Sequence, residues 1–155
     1  MKRAGLLDVV LCVEIVTALA RRFEGFVAHP YLCPAGVPTI GFGATFYEDG
    51  RAVKLTDPPI SGPRAEALLL WTVRAIYLPA VLRLCPDVDT PERLAALIDF
   101  AFNLGTGRLR DSTLRRKVNA DDWGGARKQI MRWTMGGGRV LQGLVRRREA
   151  ERALM

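Results

Sequence analysis

"EGFVAHPYLCPAGVPTIGFG", residues 24–43, decides how the rest of the chain is read. Pro30, Pro34 and Pro38, with Gly25, Gly36, Gly41 and Gly43, punctuate it, so a helix stops at its start and short extended pieces follow. The stretch carries a carboxylate at Glu24, a thiol at Cys33 nine residues on, and a hydroxyl at Thr39 six further on. A glutamate ending a hydrophobic helix and facing a Gly/Pro-rich hairpin suits a general acid for glycosidic cleavage, because apolar walls keep a carboxyl protonated. Such cleavage ordinarily uses two carboxylates, and residues 24–43 offer one. Taken alone, Glu24 reads as well as a solvated helix-end glutamate paired with Arg21 or Arg22.

Upstream, residues 6–23 form a helix that is apolar nearly all round, with Glu14, Thr17 and Arg21 on one narrow polar stripe. Downstream, residues 29–63 hold six prolines and five glycines between β-compatible pieces at "TIGFGATFY" and "RAVKL", with "EDG" as the turn, which makes a small β-lobe. From Arg64 onward the pattern is helical. The first helix there is expected to bend or break near Pro79. The next is capped by Thr90, opens with Pro91 and stops at Gly105. Two short helices follow, capped by Ser112 or Thr113 and by Asp121 or Asp122. "MGGG" reads as a flexible break, and residues 139–155 as a last, basic helix. The fold class is α+β, one domain over 1–155: a helix to 23, the loop and β-lobe over 24–63, and a mainly helical lobe over 64–155.

The chain has 155 residues, 49% of them apolar, enough to bury a real core. Its formal charge of +7 favours an anionic partner such as nucleic acid, an acidic membrane or an acidic cell-wall polymer. Cys12, Cys33 and Cys85 show no paired spacing and His29 is the lone histidine, so neither a disulfide framework nor a zinc site is suggested. Residues 4–20 are long enough for a signal anchor, but Asp8 and Glu14 lie inside, each costing roughly 2.5–3.5 kcal/mol at a bilayer centre. A core helix is the expectation.

"FEG", the Pro/Gly loop and "GVPTIGFG" together resemble the catalytic stretch of phage-type lysozymes, glycoside hydrolase family 24. "FNLGTGRLRDSTLRRKVNADDW" and "GLVRRREAE" resemble the later helices of that family. The resemblance implies a lysozyme-like fold with a cleft between lobes and a peptidoglycan hydrolase used for host lysis. It gives Glu24 the role of general acid and Thr39 that of the hydroxyl holding the attacking water. Cys33 stands where the family usually has aspartate, and Ala44 where many relatives have histidine. Two sources of the missing base compete: the Cys33 thiolate, or a carboxylate from the hairpin, Glu48 or Asp49. The first is favoured, since the latter two look like solvent-facing turn residues. The resemblance also implies substrate contacts at Asn103, Gly105, Ser112 and Thr113, although helix termination and capping explain these equally well. Trp71, Trp123 and Trp133 read as core or interlobe packing and His29 as a bystander. Arg146, Arg147 and Arg148 include a candidate partner for Glu24, against the plainer reading of a solvated arginine run.

The basic segments 108–117 and 139–155 lack interleaved aromatics or a recognition motif, so nucleic acid is not the expected partner. The last helix suits weak contact with an anionic membrane as a secondary role. No nucleotide, nicotinamide or metal motif is present and no cofactor is expected. The expected partner is the peptidoglycan glycan strand and the expected state a monomer. The expected route is the host cytoplasm, then the wall through a holin lesion. The rival functions are a lytic transglycosylase, which needs one acid, and a non-catalytic wall-binding protein.

Overall fold

The computed structural model describes residues 8–155. The order is α1 (Val9–Glu24), β1 (Val27–Leu32), β2 (Pro38–Gly41), α2 (Gly62–Trp71), a π-helical segment (Thr72–Tyr77) and α3 (Leu78–Leu84). Then come α4 (Pro91–Leu104), α5 (Thr106–Arg110), α6 (Thr113–Asn119), α7 (Trp123–Ile130), β3 (Met135–Gly136), β4 (Arg139–Val140) and α8 (Gln142–Ala153). The chain is mainly helical with a small antiparallel strand pair, as the α+β reading expects.

Asp8 caps α1 by accepting the Leu11 amide at 3.0 Å. Residues 1–7, and with them the start expected at Leu6, lie outside the described residues. The helix buries Cys12, Val13, Val16 and Ala20 in the core with α4, the central helix of the larger lobe. Every residue of α4 from Leu94 to Ala101 is buried, Asp99 included. Fully burying one such leucine contributes about 1.5–3 kcal/mol, so this contact fixes the end of α1. Gly25, at φ 70°, then turns the chain out of the helix and its amide bonds the Arg21 carbonyl.

β1 and β2 pair antiparallel, Tyr31 opposite Thr39, with an irregularity between Val27 and Tyr31. The expected strand at "RAVKL" reduces to one bridge, Phe46 with Ala52, around the "EDG" turn. Ile40, Ala44, Tyr47, Val53 and Leu68 make a small second core under this lobe.

The helix expected to bend or break near Pro79 does not break: it runs from Gly62 to Leu84, with a π-helical segment just before the proline. Proline lacks an amide hydrogen and crowds the carbonyl one turn back; the π-helical turn just before it absorbs both defects by widening the helix. α4 begins and ends as expected: Thr90 accepts the Arg93 amide at 3.1 Å, Pro91 opens it and Gly105 closes it at φ 93°. Ser112 and Asp122 supply the next caps. "MGGG" is not a flexible break. Gly137 and Gly138, at φ 57° and 78°, form the two-residue turn of the β3–β4 hairpin. The last helix accordingly starts at Gln142, not Arg139.

Candidate active site

Glu24 is the last residue of α1, so its side chain is delivered by the α1–α4 contact. Its side chain is 22% exposed and borders a cavity of about 660 Å³ that is also lined by Phe23, Pro34, Asn103, Leu144 and Arg147. Arg147 donates Nη1 to Glu24 Oε1 at 2.7 Å. Gly43, at φ 85°, packs on the same carboxyl: a Cβ there would lie 3.3 Å from Glu24 Cδ and 3.3 Å from Phe102 Cε1. The second glycine of "GFG" is thus required by close approach as well as by backbone conformation.

Arg147 itself is buried. It gives Nε and Nη2 to the two oxygens of Asp99 at 2.8 and 2.9 Å. Burial alone would favour losing its charge, but Asp99 first and Glu24 second raise its pKa, so it stays a cation. Arg148, wholly buried beside it, donates Nη2 to Asn103 Oδ1 at 2.8 Å and to Glu151 Oε1 at 2.7 Å. Burial first, then the neighbouring Asp99, pushes Glu151 well above the usual carboxylate range.

Cys33 begins the turn that joins β1 to β2. Its amide bonds the Val37 carbonyl at 3.0 Å and its own carbonyl accepts from Gly36 at 2.8 Å. The thiol is half-buried and free. Desolvation opposes its ionisation, but backbone hydrogen bonds at Val37 and Ala35 and the Thr39 side chain outweigh that, leaving its pKa below the ordinary thiol value. Thr39 is buried on β2, its hydroxyl 2.9 Å from the Val37 carbonyl. Cys33 thus opens the β1–β2 turn and Thr39 follows it on β2.

The hairpin carboxylates are otherwise engaged. Glu48 receives Arg64 at 2.6 and 2.7 Å, a pairing that holds it down at about 2. Asp49 accepts the Arg51 amide within the turn. Neither borders the cavity beside Glu24, and neither do Cys33 and Thr39, although Pro34, the residue after Cys33, does.

Asn103 lines that cavity and also the next, of about 440 Å³, which Arg108, Arg132 and Trp133 continue. Those three also line a further cavity of about 530 Å³, where Ser112 and Thr113 sit. Linked by these common walls, the cavities make one groove leading away from Glu24. Gly105 borders none of the three and closes α4 instead. Ser112 caps α6 as well as facing the groove, and Thr113 accepts Arg116. Trp123 is core, Trp71 packs on the small core, and Trp133 packs edge-on against Phe100 while facing the groove. His29 is exposed on β1.

Sequence reasoning missed Asp99 and Glu151 and left Arg147 inside an arginine run. The available signal was an aspartate in the middle of "LAALIDFAF", an apolar run that tolerates a charge only when a partner is buried with it.

A family model described as phage lysozyme matches residues 21–151. The SAR-endolysin of Enterobacteria phage PA-2 is 48% identical over 133 residues, covering 83% of this chain and 74% of that protein. The SAR-endolysin of Enterobacteria phage P21 is 47% identical over 135 residues, covering 84% and 76%. The solved endolysin from Escherichia coli O157:H7 phage FAHEc1 matches with a TM-score of 0.77 at 26% identity, over 97% of this chain and 94% of that one.

Proposed function

The chain belongs to the phage lysozyme family, and on that premise we propose that it is an N-acetylmuramidase that cleaves the β-1,4 bond between N-acetylmuramic acid and N-acetylglucosamine. It is a peptidoglycan-lysing phage endolysin and a lysozyme-type hydrolase. The bond cut and the roles of the side chains are the proposal.

The observation that carries it is the placement of Glu24: a carboxyl held on one oxygen by Arg147, backed by Gly43 and Phe102, and open toward the cavity. In that setting Glu24 protonates the departing sugar oxygen. The Cys33 thiolate takes a proton from the incoming water, and the Thr39 hydroxyl beside it holds that water or the thiolate in line. The lowered Cys33 pKa supports a thiolate in the base role, and the engagement of Glu48 by Arg64 argues against the hairpin carboxylate.

The groove supports peptidoglycan as the polymer bound. Arg108 lies over the Trp133 ring at 5.9 Å and Arg132 lines the same cavities, so sugar faces and the carboxylates of peptide stems both find partners. Asn103, Ser112 and Thr113 are the proposed polar contacts along it. The enzyme is read as acting as a monomer. Weak contact of α8 with an anionic membrane is a minor reading, since α8 packs on α4 and α7 and buries Arg147 and Arg148.

The site of action is the cell wall. For the route there, the name SAR-endolysin carried by the relatives denotes a signal anchor that is later released, and it favours export by residues 4–20 over passage through a holin lesion. In that reading the apolar face that α1 buries against α4 is first held by lipid, and Glu24 reaches the cleft only once α1 has docked. Cell fractionation with and without a block of the general secretory pathway separates the two routes.

Mass spectrometry of muropeptides released from purified Gram-negative peptidoglycan tests the reaction. Products ending in reducing N-acetylmuramic acid are expected. Products one water lighter, with a 1,6-anhydro ring, would make it a transglycosylase with no base at position 33.

A further inference from the structure

The Glu24 carboxyl is the accessible end of a buried ionic chain that the scheme above leaves unexplained. Three carboxylates, Glu24, Asp99 and Glu151, share two guanidinium groups, Arg147 and Arg148. Asp99 takes Nε and Nη2 of Arg147, leaving Nη1 for Glu24. Asp99 sits at the centre of α4 with no exposure, where an apolar side chain would pack without any desolvation cost. Its bidentate grip sets the plane of the Arg147 fork, and the remaining nitrogen then points at the cleft wall, where Glu24 meets it.

The charge count matters as much as the geometry. A general acid must hold a proton when it works, and a protonated Glu24 no longer neutralises Arg147. Were Glu24 its sole counter-charge, that protonation would strand a buried guanidinium, which is strongly disfavoured. Asp99 removes the penalty, because Arg147 stays paired in both states of Glu24. We propose that Asp99 is a positioning residue for the reaction: acting through Arg147, it fixes where the Glu24 carboxyl sits and lets that carboxyl carry its proton. The inference rests on the reading of Glu24 as the acid.

The other charged and titratable groups around this chain leave the argument intact. From α8, Arg147, Arg148 and Glu151 face it, and Arg146 borders the cavity. From α1, Arg22 borders the cavity beside Glu24. Tyr31 of β1 and Tyr77 of the π-helical segment both titrate above the ordinary phenol range, through burial first and the Glu24 charge second. Glu151, which burial raises well above the usual carboxylate range, pairs with Arg148 Nη2 and takes none of the Arg147 nitrogens.

The test is Asp99→Asn, which keeps the shape and removes the charge. Titration of the Glu24 side-chain carboxyl followed by 13C NMR is expected to shift to lower pH by about one unit. Above that midpoint kcat is expected to fall about tenfold, with KM within about twofold and the loss recovered on acidification. An unmoved midpoint with kcat lowered equally at every pH would make Asp99 a structural residue and overturn the proposal. If Asp99→Asn does not fold, the double variant Asp99→Asn/Arg147→Met, which strands no ion, replaces it. Its Glu24 midpoint is expected at or above the wild-type value, and a lower one overturns the proposal. Glu24→Gln serves as the control on the underlying reading. If it retains activity, the acid is another group and the positioning role falls with it; if it is inert while the midpoint in Asp99→Asn stays put, Asp99 alone has been misread.

Discussion

Replacing Cys33 with aspartate tests the thiolate most directly, and its size follows from the two titrating groups. In the proposed scheme catalysis requires Glu24 protonated and position 33 deprotonated, so the optimum is expected midway between their two pKa values. An unperturbed thiol near 8.5 is only about 3% ionised at pH 7, and the hydrogen bonds at Val37, Ala35 and Thr39 increase that share by lowering the value. An aspartate there titrates near ~3.9. The difference is at most about 4.6 units and less by whatever the turn already supplies, so the optimum should fall by about one to two pH units. The fraction of enzyme with both groups correctly protonated should rise together with it. Cys33→Ala removes the base altogether and should cost about 10²–10⁴-fold in kcat. Stability should change little, because the thiol is half-buried and the turn is held by backbone bonds that alanine keeps. The assay is initial-rate release of reducing ends from purified peptidoglycan between pH 4 and 9, with thermal melts as control. An alanine variant as active as the parent, or an aspartate variant whose optimum stays in place, would refute the assignment of Cys33 as base.

Three further predictions use the same assay. Gly43→Ala places a methyl 3.3 Å from Glu24 Cδ at a backbone φ of 85°. It should cost about 1–2 kcal/mol of stability through the left-handed backbone and, by shifting Glu24, about 10²-fold in kcat; a fully active, well-folded variant would show that the carboxyl is not held there. Arg108→Ala/Arg132→Ala should raise KM about tenfold on peptide-bearing glycan, while leaving a neutral N-acetylglucosamine oligomer unaffected; equal loss on both would mean that the arginines do not read the stems. Peroxide should inactivate the parent reversibly by oxidising Cys33 to the sulfenic acid, and thiol should restore it. Burial pushes the Cys12 thiol up to about 12 and the Cys85 thiol to about 11, which leaves both inert. Cys33→Asp should therefore be indifferent to peroxide, and equal sensitivity would place the lesion elsewhere.

The elements that were legible from sequence are those whose signal is local. Thr90, Pro91 and Gly105 bound α4 because a cap, a fixed φ and a positive φ are each properties of one residue. Non-local compensation was not legible. Pro79 reads as a breaker, and nothing in its neighbours announces that a π-helical turn will absorb it. The glycines at 136–138 read as slack, yet with strands of only two residues on each side they make a tight hairpin, and Leu141 fills the space a side chain at Gly136 would need.

The candidate site divides along the same line, and the division has a physical origin. Glu24, Cys33 and Thr39 lie within sixteen residues of one another, so their spacing is a pattern that a reader of sequence can see. The groups that would make Glu24 usable come from α4 and α8, and their role follows only from burial. An arginine in "RRREAER" is by default solvated, and three in a row strengthen that default. Here the default fails for two of the three, since Arg147 and Arg148 are 3% and 0% exposed. A buried guanidinium is tolerated only beside a buried carboxylate, so Asp99 in the one run and the arginines in the other each require the other. A charge inside an apolar helix and a basic helix carrying an acid three or four residues on are each weak signals alone. Taken jointly they are complementary, because the cost of burying either is offset only by burying both, and the place where they meet is Glu24, the carboxylate proposed as the acid.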